Sequence, residues 1–352
     1  MMSIPAYAYA ENGSDINGDM NGDGSVTAAD AAVLLRVLSG ANGTDTDLTD
    51  EADVTCNMSA DNTDALVILM CAADYADTLS TITSSLKSPL LGEKYLDLFT
   101  YKGPIQKEGS YKSDSVSVTQ TMIRYKDTNC FVADIYIRDI SALRTAFSCN
   151  KLNGKTQTVL KMAQNNDAII AVNGDYYTCN NKNALLIRNG KMYHAGVSKR
   201  FDTCALYTDG HMQIFPPNCK NSEVEANGTV WQTWTFGPGL IDENSIAKTT
   251  FTCNKNICGI NPRSAIGYYE PGHYCFVLAD GRAGKVSRGL TMEDLAKFMA
   301  EELHCVLAYN FDGGQTAVMA SRDGVIDDPF NGGRSTSDIV YICDPKQAGG
   351  AQ

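Results

Sequence analysis

Three aspartates stand where apolar runs stop. "DAIIAVNGDYY" ends at Asn173-Gly174-Asp175, "HYCFVLADGR" at Asp280-Gly281-Arg282, and "VLAYNFDGG" at Asp312-Gly313-Gly314. Glycines beside a carboxylate permit positive φ and close approach of a ligand to backbone N–H groups. The competing reading of each stretch is a tight turn whose Asp accepts bonds from nearby N–H groups. What separates the two readings is position: aspartates that share one sheet edge share a pocket.

A second group of acids has the spacing of a cation loop. In "DMNGDGSVTAAD", with Asp19 as position 1, Asn21 falls at 3, Asp23 at 5, Gly24 at 6, Ser25 at 7, Thr27 at 9 and Asp30 at 12. Ca²⁺ takes six to eight oxygens at ~2.3–2.6 Å, and this spacing wraps them around one ion. Gly24 supplies the sharp turn, Ser25 its carbonyl, and Val26 points inward; an apolar helix follows and stops at Gly40. The pattern returns in "DVTCNMSADNTD", where Asp53, Thr55, Asn57, Asp61 and Asp64 occupy positions 1, 3, 5, 9 and 12. Met58 at position 6 resists the turn that glycine makes, so the second loop is expected to be weaker or distorted.

Two loop-plus-helix halves over roughly 12–77 resemble the dockerin family. That resemblance implies a small all-α calcium-binding module and a cohesin-type partner protein. Positions 10 and 11, which help to read the cohesin in that family, are Ala28-Ala29 in one half and Asn62-Thr63 in the other; two-way symmetric docking is therefore not expected. A free calcium sensor is the rival reading, although nothing helical fits between Glu11 and Ile16.

The elements that must hold the strand-end aspartates are legible beyond residue 93. "SVSVTQTMIRY" and "CFVADIYIRDI" carry the β-branched and aromatic residues of half-buried strands. A helix is expected over 155–165. "ALLIRNGKMYHAG" and "CALYTDGHMQIF" read as hairpins around Asn-Gly and Asp-Gly. "TMEDLAKFMAEELHC" is a helix with Thr291 as N-cap, Asp294 completing a capping box, and Leu295, Phe298, Met299 and Leu303 as its buried stripe. Strand, helix, strand over 273–312 predicts a right-handed parallel βαβ unit. Asp280 and Asp312 would then share the carboxyl edge where α/β sheets place ligands. The expected fold is a mixed α/β (α+β) catalytic domain over 93–345, with a mixed sheet and at least one βαβ unit. The small all-α module precedes it, 78–92 is a Ser/Thr-rich linker, and 346–352 is a tail.

Charge separates the halves. Residues 1–80 hold 14 acidic residues and one basic, Arg36; the remainder holds 27 acidic and 28 basic. No basic stripe exists, so a nucleic-acid role is not expected, and no apolar run reaches the ~18 residues of a membrane helix. Ala8-Tyr9-Ala10 has the form of a signal-peptidase site, and residues 1–11 are read as a secretion-signal remnant. Of twelve cysteines, Cys253 and Cys258 are the tightest pair in sequence. Cys130, Cys275, Cys305 and Cys343 sit in apparent strands as small hydrophobes. The four histidines show no mutual spacing, and no Gly-x-Ser-x-Gly, His-Glu-x-x-His or Walker pattern occurs.

"AVNGDYY" (171–177), "FGPGLI" (236–241), "NPRSAIG" (261–267), "ADGR" (279–282), "NFDGGQT" (310–316) and "GGRSTSDIVYI" (332–342) occur in that order. The set resembles the phosphodiester glycosidase family over about 95–343. The chain departs from it at Gly174-Asp175-Tyr176-Tyr177, where the family often has Gly-Gly-Phe-Phe, and at Gln315-Thr316. The resemblance implies a hydrolase that cuts a sugar-1-phosphodiester in a surface or cell-wall glycan. Asp312, Asp280 and Asp175 are its candidate catalytic carboxylates. Arg263, Arg282 and Arg334 would clamp the phosphate; Asn173, Gly313, Gly314, Thr316 and Ser337 would bind substrate. Trp231, Trp234, Tyr176 and Tyr177 are candidates for stacking on sugar rings, against the commoner fate of buried core. No metal is assigned to this domain, and the protein is expected to be secreted, at a surface or scaffold. The alternatives are a non-catalytic glycan- or phosphate-binding protein on the same scaffold and, more weakly, an assembly adaptor.

Overall fold

The computed structural model describes residues 18–40, 52, 54, 60–73, 90–92, 94–100, 103–177, 184–251 and 255–345. Outside them lie Ala8-Tyr9-Ala10, most of the expected linker, the tail, Cys253, and the second-loop residues Asp53, Thr55 and Asn57. The chain divides into two compact units, Met1–Leu96 and Asp97–Gln352.

The first unit contains helices α1 (Ala28–Leu38) and α2 (Asn62–Ala72), each opened by a capping box, Thr27 with Asp30 and Asp61 with Asp64. Such a box satisfies N–H groups that the first helical turn leaves without partners. Ala31 and Leu34 of α1 pack with Ala65 and Ile68 of α2, and Val26 and Val54 close the cluster. A core of this size stabilises a module only marginally by itself.

The second unit is built mainly of strands. A seven-stranded sheet has the order β1 (Ile105–Lys107), β2 (Ser110–Lys112), β3 (Val116–Tyr125), β4 (Thr128–Ile137), β13 (His273–Ala279), β12 (Arg263–Glu270), β14 (Leu307–Asn310). A four-stranded sheet runs β15 (Met319–Ala320), β6 (Ile170–Asn173), β16 (Asp338–Ile342), β5 (Leu143–Phe147). Strands β10 (Met212–Phe215), β9 (Thr203–Tyr207) and β11 (Val230–Trp234) form a third sheet; β7 (Leu185–Arg188) and β8 (Lys191–Ala195) form a hairpin. Its turn residues Asn189 and Gly190 both have positive φ, 51° and 76°, as the tight Asn-Gly hairpin turn requires.

Among the described residues, helices α3 (Val159–Asn165), α4 (Asn221–Glu225), α5 (Lys255–Cys258) and α6 (Met292–Lys297), the last continued by a π-turn over Phe298–Glu302, join them. Helix α3 covers the four-stranded sheet through Val159, Met162 and Ala163. Leu295, Phe298 and Met299 pack on β4, β12 and β13, each fully buried apolar side chain contributing about 1.5–3 kcal/mol. Leu303 is only partly buried against that cluster. Cys130, Cys275, Cys305 and Cys343 are buried free thiols, and Cys258 is disulfide-bonded.

The expected parallel βαβ unit is corrected. Every strand pair among the described residues is antiparallel, and β12 lies between β13 and β14. The tight β12–β13 connection puts β12 in the slot that a direct crossover would have filled, so the unit is split. Both flanking strands nonetheless run opposite to β12. Their carboxyl ends, and so Asp280 and Asp312, lie at one edge, two strand spacings or roughly 10 Å apart.

Gly267 sits in the middle of β12, where a Cβ would lie 2.6 Å from both Cys275 Sγ and Cys305 Sγ. Gly267→Ala is expected to destabilise the protein by about 1–3 kcal/mol through overpacking. A denaturant midpoint equal to that of the wild type would contradict this account.

Candidate active site

The site grows from the place where two sheets meet end to end. Asn173, the last residue of β6, donates through Nδ2 to the Asp312 carbonyl at 2.8 Å, and Asp312 N donates to the Gly174 carbonyl at 3.4 Å. Gly174 N in turn donates to the Asp338 carbonyl at 3.0 Å. A Cβ at Gly174 would lie 2.5 Å from the Asp338 carboxyl group; only glycine lets the chain pass.

Beneath this junction lies a buried ion cluster. Arg188 Nη2 donates to Asp175 Oδ1 at 2.7 Å and to Asp338 Oδ2 at 3.0 Å, and Arg188 Nη1 donates to the Thr233 carbonyl. Asp175 Oδ2 accepts from Thr235 N at 2.8 Å. All three charged residues are buried. One guanidinium therefore serves two carboxylates, and burial, reinforced by the Asp175 charge, raises Asp338 above the usual carboxylate range, while Arg188 acts in the opposite direction. Ser337 is also buried and donates to Asp338 Oδ1 at 3.3 Å; it supports this carboxylate rather than facing solvent.

Asp312 sits above the cluster, with its side chain 13% exposed. Thr316 Oγ1 donates to Oδ2 at 2.7 Å and Gly313 N to Oδ1 at 2.9 Å. Arg334 Nη2 lies 3.9 Å from Oδ2 on a half-exposed side chain, and its guanidinium lies 6.0 Å from the Tyr176 ring centroid. Burial raises the Asp312 carboxyl above its ordinary value, while Thr316, Gly313 and Arg334 act in the opposite direction. Arg282 faces the adjoining turn: its Nη2 would be 3.1 Å from a Cβ on Gly314, and it donates to Asn261 Oδ1 at 2.7 Å.

Asp280 lies across Pro262 from this turn. A Cβ on Gly281 would be 2.8 Å from Pro262 N, and one on Gly313 2.7 Å from Pro262 O, so the two aspartate loops grip one residue from opposite sides. Asp280 is buried, and its Oδ1 has no hydrogen-bond partner; Asp327 Oδ2 is in the same state. Burial, with Asp328's charge adding to it, pushes Asp280 up to about 7; Asp327 rises to about 8, again chiefly by burial.

The structure thus gathers Asn173, Asp175, Asp312, Gly313, Gly314, Thr316, Arg282 and Arg334 around one junction, with Asp280 on the far side of Pro262. Arg263 stands apart in its bonding. It is buried, its Nε donates to the Leu290 carbonyl at 3.0 Å, and its Nη2 donates to the Gly259 carbonyl. Burial, then repulsion by Arg282, lowers it to about 10. Trp234 is wholly buried against Phe311, Tyr177 is buried, and Trp231 donates to the Leu143 carbonyl; of the four stacking candidates, Tyr176 stands beside Arg334.

Sequence reasoning missed Arg188, Asp338 and Asp327. The signal for Arg188 was present: a cation ending the strand "LLIR", whose every residue is buried, demands a buried anion.

Antiparallel sheets thus converge on strand-end carboxylates beside arginines, and comparisons with known proteins give the family. The phosphodiester glycosidase family model matches residues 166–343, and the chain belongs to that family. The dockerin type I model matches residues 17–69. Among solved structures, the catalytic domain of zebrafish N-acetylglucosamine-1-phosphodiester alpha-N-acetylglucosaminidase, auto-inhibited by its pro-peptide, is similar. Its TM-score is 0.52 at 16% identity, covering 65% of this chain and 83% of that one. A hypothetical protein from Synechocystis gives a TM-score of 0.52 at 13% identity, covering 65% and 62%. At these identities the likeness concerns the fold. No curated protein matches.

Asp280 makes stability depend on pH. Its folded-state value lies above the ordinary 3.8, so its contribution is fully present below that value and is lost as pH rises towards about 7. Asp280→Asn is expected to flatten the fall in thermal midpoint across that window. An unaltered slope would mean that the proton resides elsewhere.

Proposed function

We propose that this chain is a secreted glycosidase that hydrolyses a sugar-1-phosphodiester of the GlcNAc-1-phosphate kind in a surface or cell-wall glycan, held on a cohesin-type partner by its N-terminal module. The observation that carries the catalytic half is Asp312, fixed by Thr316 and Gly313 within 3.9 Å of Arg334. A carboxylate at the anomeric carbon stabilises developing positive charge there or activates water. The C1–O bond breaks, the oxygen leaves with its electron pair as a phosphate monoester, and water supplies the new hydroxyl. Arg334 and Arg282 bind the phosphate and offset its charge. Asp280, pushed up to about 7, holds a proton near neutral pH and is the acid of the site. Asp175 and Arg263 act as positioning residues, since their polar atoms are already engaged by Arg188 and Thr235 and by the Leu290 and Gly259 carbonyls.

The N-terminal half is a calcium-dependent docking module. The first loop folds as a turn in which Asp19 accepts from Asp23 N and Gly24 N, Asn21 from Asp23 N, and Asp23 from Ser25 N. Asp30 is wholly buried, with Oδ1 on Asn21 N and Oδ2 on Thr27. The acids do not converge into a cluster of three metal-ligating side chains among the described residues. The donor set nevertheless fits Ca²⁺, because the hydrogen-bond partners of the buried Asp30 carboxyl are neutral N–H and O–H groups and a cation would offset its burial. Asp19, Asn21, Asp23, the Ser25 carbonyl and Asp30 would hold the ion, which supplies charge neutralisation and ties the loop to α1. In the second loop, Asp61 and Asp64 cap α2. Among the described residues, no helix is long and apolar enough to cross a membrane.

Asp312→Asn is expected to lower release of GlcNAc from a GlcNAc-1-phosphodiester by roughly 10²–10⁴-fold, with the thermal midpoint retained. Undiminished turnover in the folded variant removes Asp312 from the mechanism. Chelation of calcium is expected to lower the melting temperature of the intact chain and to abolish capture on immobilised cohesin, both restored by added Ca²⁺. Capture that persists in chelator would refute calcium-dependent docking.

A further inference from the structure

A cleft of about 680 Å³ is lined by Phe201, Phe236 and Phe251. Its lining is bonded to β14, the strand that leads to Asp312, and is continuous in sequence with the residue that bonds Asp175. Thr235 N donates to Asp175; the next residue, Phe236, donates through N to Tyr309 Oη at 2.8 Å. Asn310, two positions before Asp312, donates through Nδ2 to the Gly237 carbonyl at 2.8 Å. One residue step, about 3.8 Å, therefore separates the cleft lining from the amide that holds Asp175.

Two features describe what this cleft takes. The Phe201 and Phe236 rings lie 6.4 Å apart and within 4° of parallel, presenting apolar faces. Lys199, Arg200 and Lys248 line the same cleft, and the Arg200 guanidinium is held 5.5 Å from the Phe201 centroid. Asp202, the one acid among the described lining residues, has its Oδ2 engaged by Gly239 N at 2.9 Å. Among the described lining residues, three cations therefore stand with one carboxylate, one of whose oxygens is engaged. The volume lies within the range of pockets that enclose small ligands.

We infer that this cleft is the aglycone subsite, and that the aglycone is amphipathic and anionic. An apolar portion lies against the phenylalanine rings, and a negative group beyond the scissile phosphate meets Lys199, Arg200 and Lys248. The inference rests on the glycosidase reading above for its role, while the ligand chemistry rests on the cleft alone. Charge placed there selects the substrate by KM, because these cations are remote from the bond that breaks.

Phenyl phosphate, a ring bearing a dianion, probes the cleft without catalysis. By calorimetric titration of the full chain at low salt, it is expected to bind at least about tenfold more tightly to the wild type than to K199Q/R200Q/K248Q, and more weakly as salt screens the charges. Equal affinity for the two proteins overturns the inference. In hydrolysis, a GlcNAc-1-phosphodiester whose aglycone ends in a second phosphate is expected to show a KM about tenfold below that of the methyl diester, a difference the triple variant erases. Turnover of both esters with equal KM overturns the subsite and leaves the glycosidase reading standing. Absence of turnover with either ester, while phenyl phosphate still binds, overturns the glycosidase reading and the aglycone role with it.

Discussion

Arg188 is the interaction on which the rest of the site depends. It ends β7, reaches Asp175 beyond β6 and Asp338 at the start of β16, and bonds the Thr233 carbonyl on β11. One buried guanidinium thereby joins the hairpin, the four-stranded sheet and the three-stranded sheet. Burying two carboxylates against a single cation is costly, and losing the cation would strand both anions; breaking buried pairs of this kind typically costs about 3–5 kcal/mol. Such clusters serve geometry more than stability. This one fixes where Gly174 turns, and the Gly174 and Asn173 bonds then fix the backbone of Asp312.

The site consequently has two tiers. The lower tier, Asp175, Asp338, Ser337 and Arg188, is buried and internally bonded. The upper tier, Asp312, Arg334 and Arg282, borders solvent and keeps binding capacity, with the buried Thr316 holding Asp312 in place. Asp312 and, across Pro262, the buried Asp280 are both raised by desolvation and lowered by specific donors, and the balance differs because only the second lacks a partner on Oδ1. Two acids with different surroundings can divide acid and electrostatic roles.

Much of this was legible because local signals agreed. Apolar runs closed by Gly-bearing turns located Asp175, Asp280 and Asp312; Asn189-Gly190 located a hairpin; Thr291 and Asp294 located a helix start, and all three elements are present. Strand order was not legible. A parallel βαβ unit and its split form with an intervening β12 share the same local pattern, and only tertiary pairing distinguishes them. The ion cluster was hidden for a related reason: Arg188 lies 13 residues from Asp175 and 150 from Asp338, and charge partnership over such distances leaves no periodicity. Arg263 and Ser337 had the residue types expected of ligand contacts, yet their side chains turn inward, a matter of which face the backbone presents.

The placement of β12 between the strands that lead to Asp280 and Asp312 has one more consequence. Their span is metered by the hydrogen-bond lattice of the sheet, which neither stretches nor compresses, instead of by the crossover that links them. Exposed turn residues of the crossover, such as 283–286, can thus lengthen, shorten or change composition over generations while the reach between the two acids stays constant.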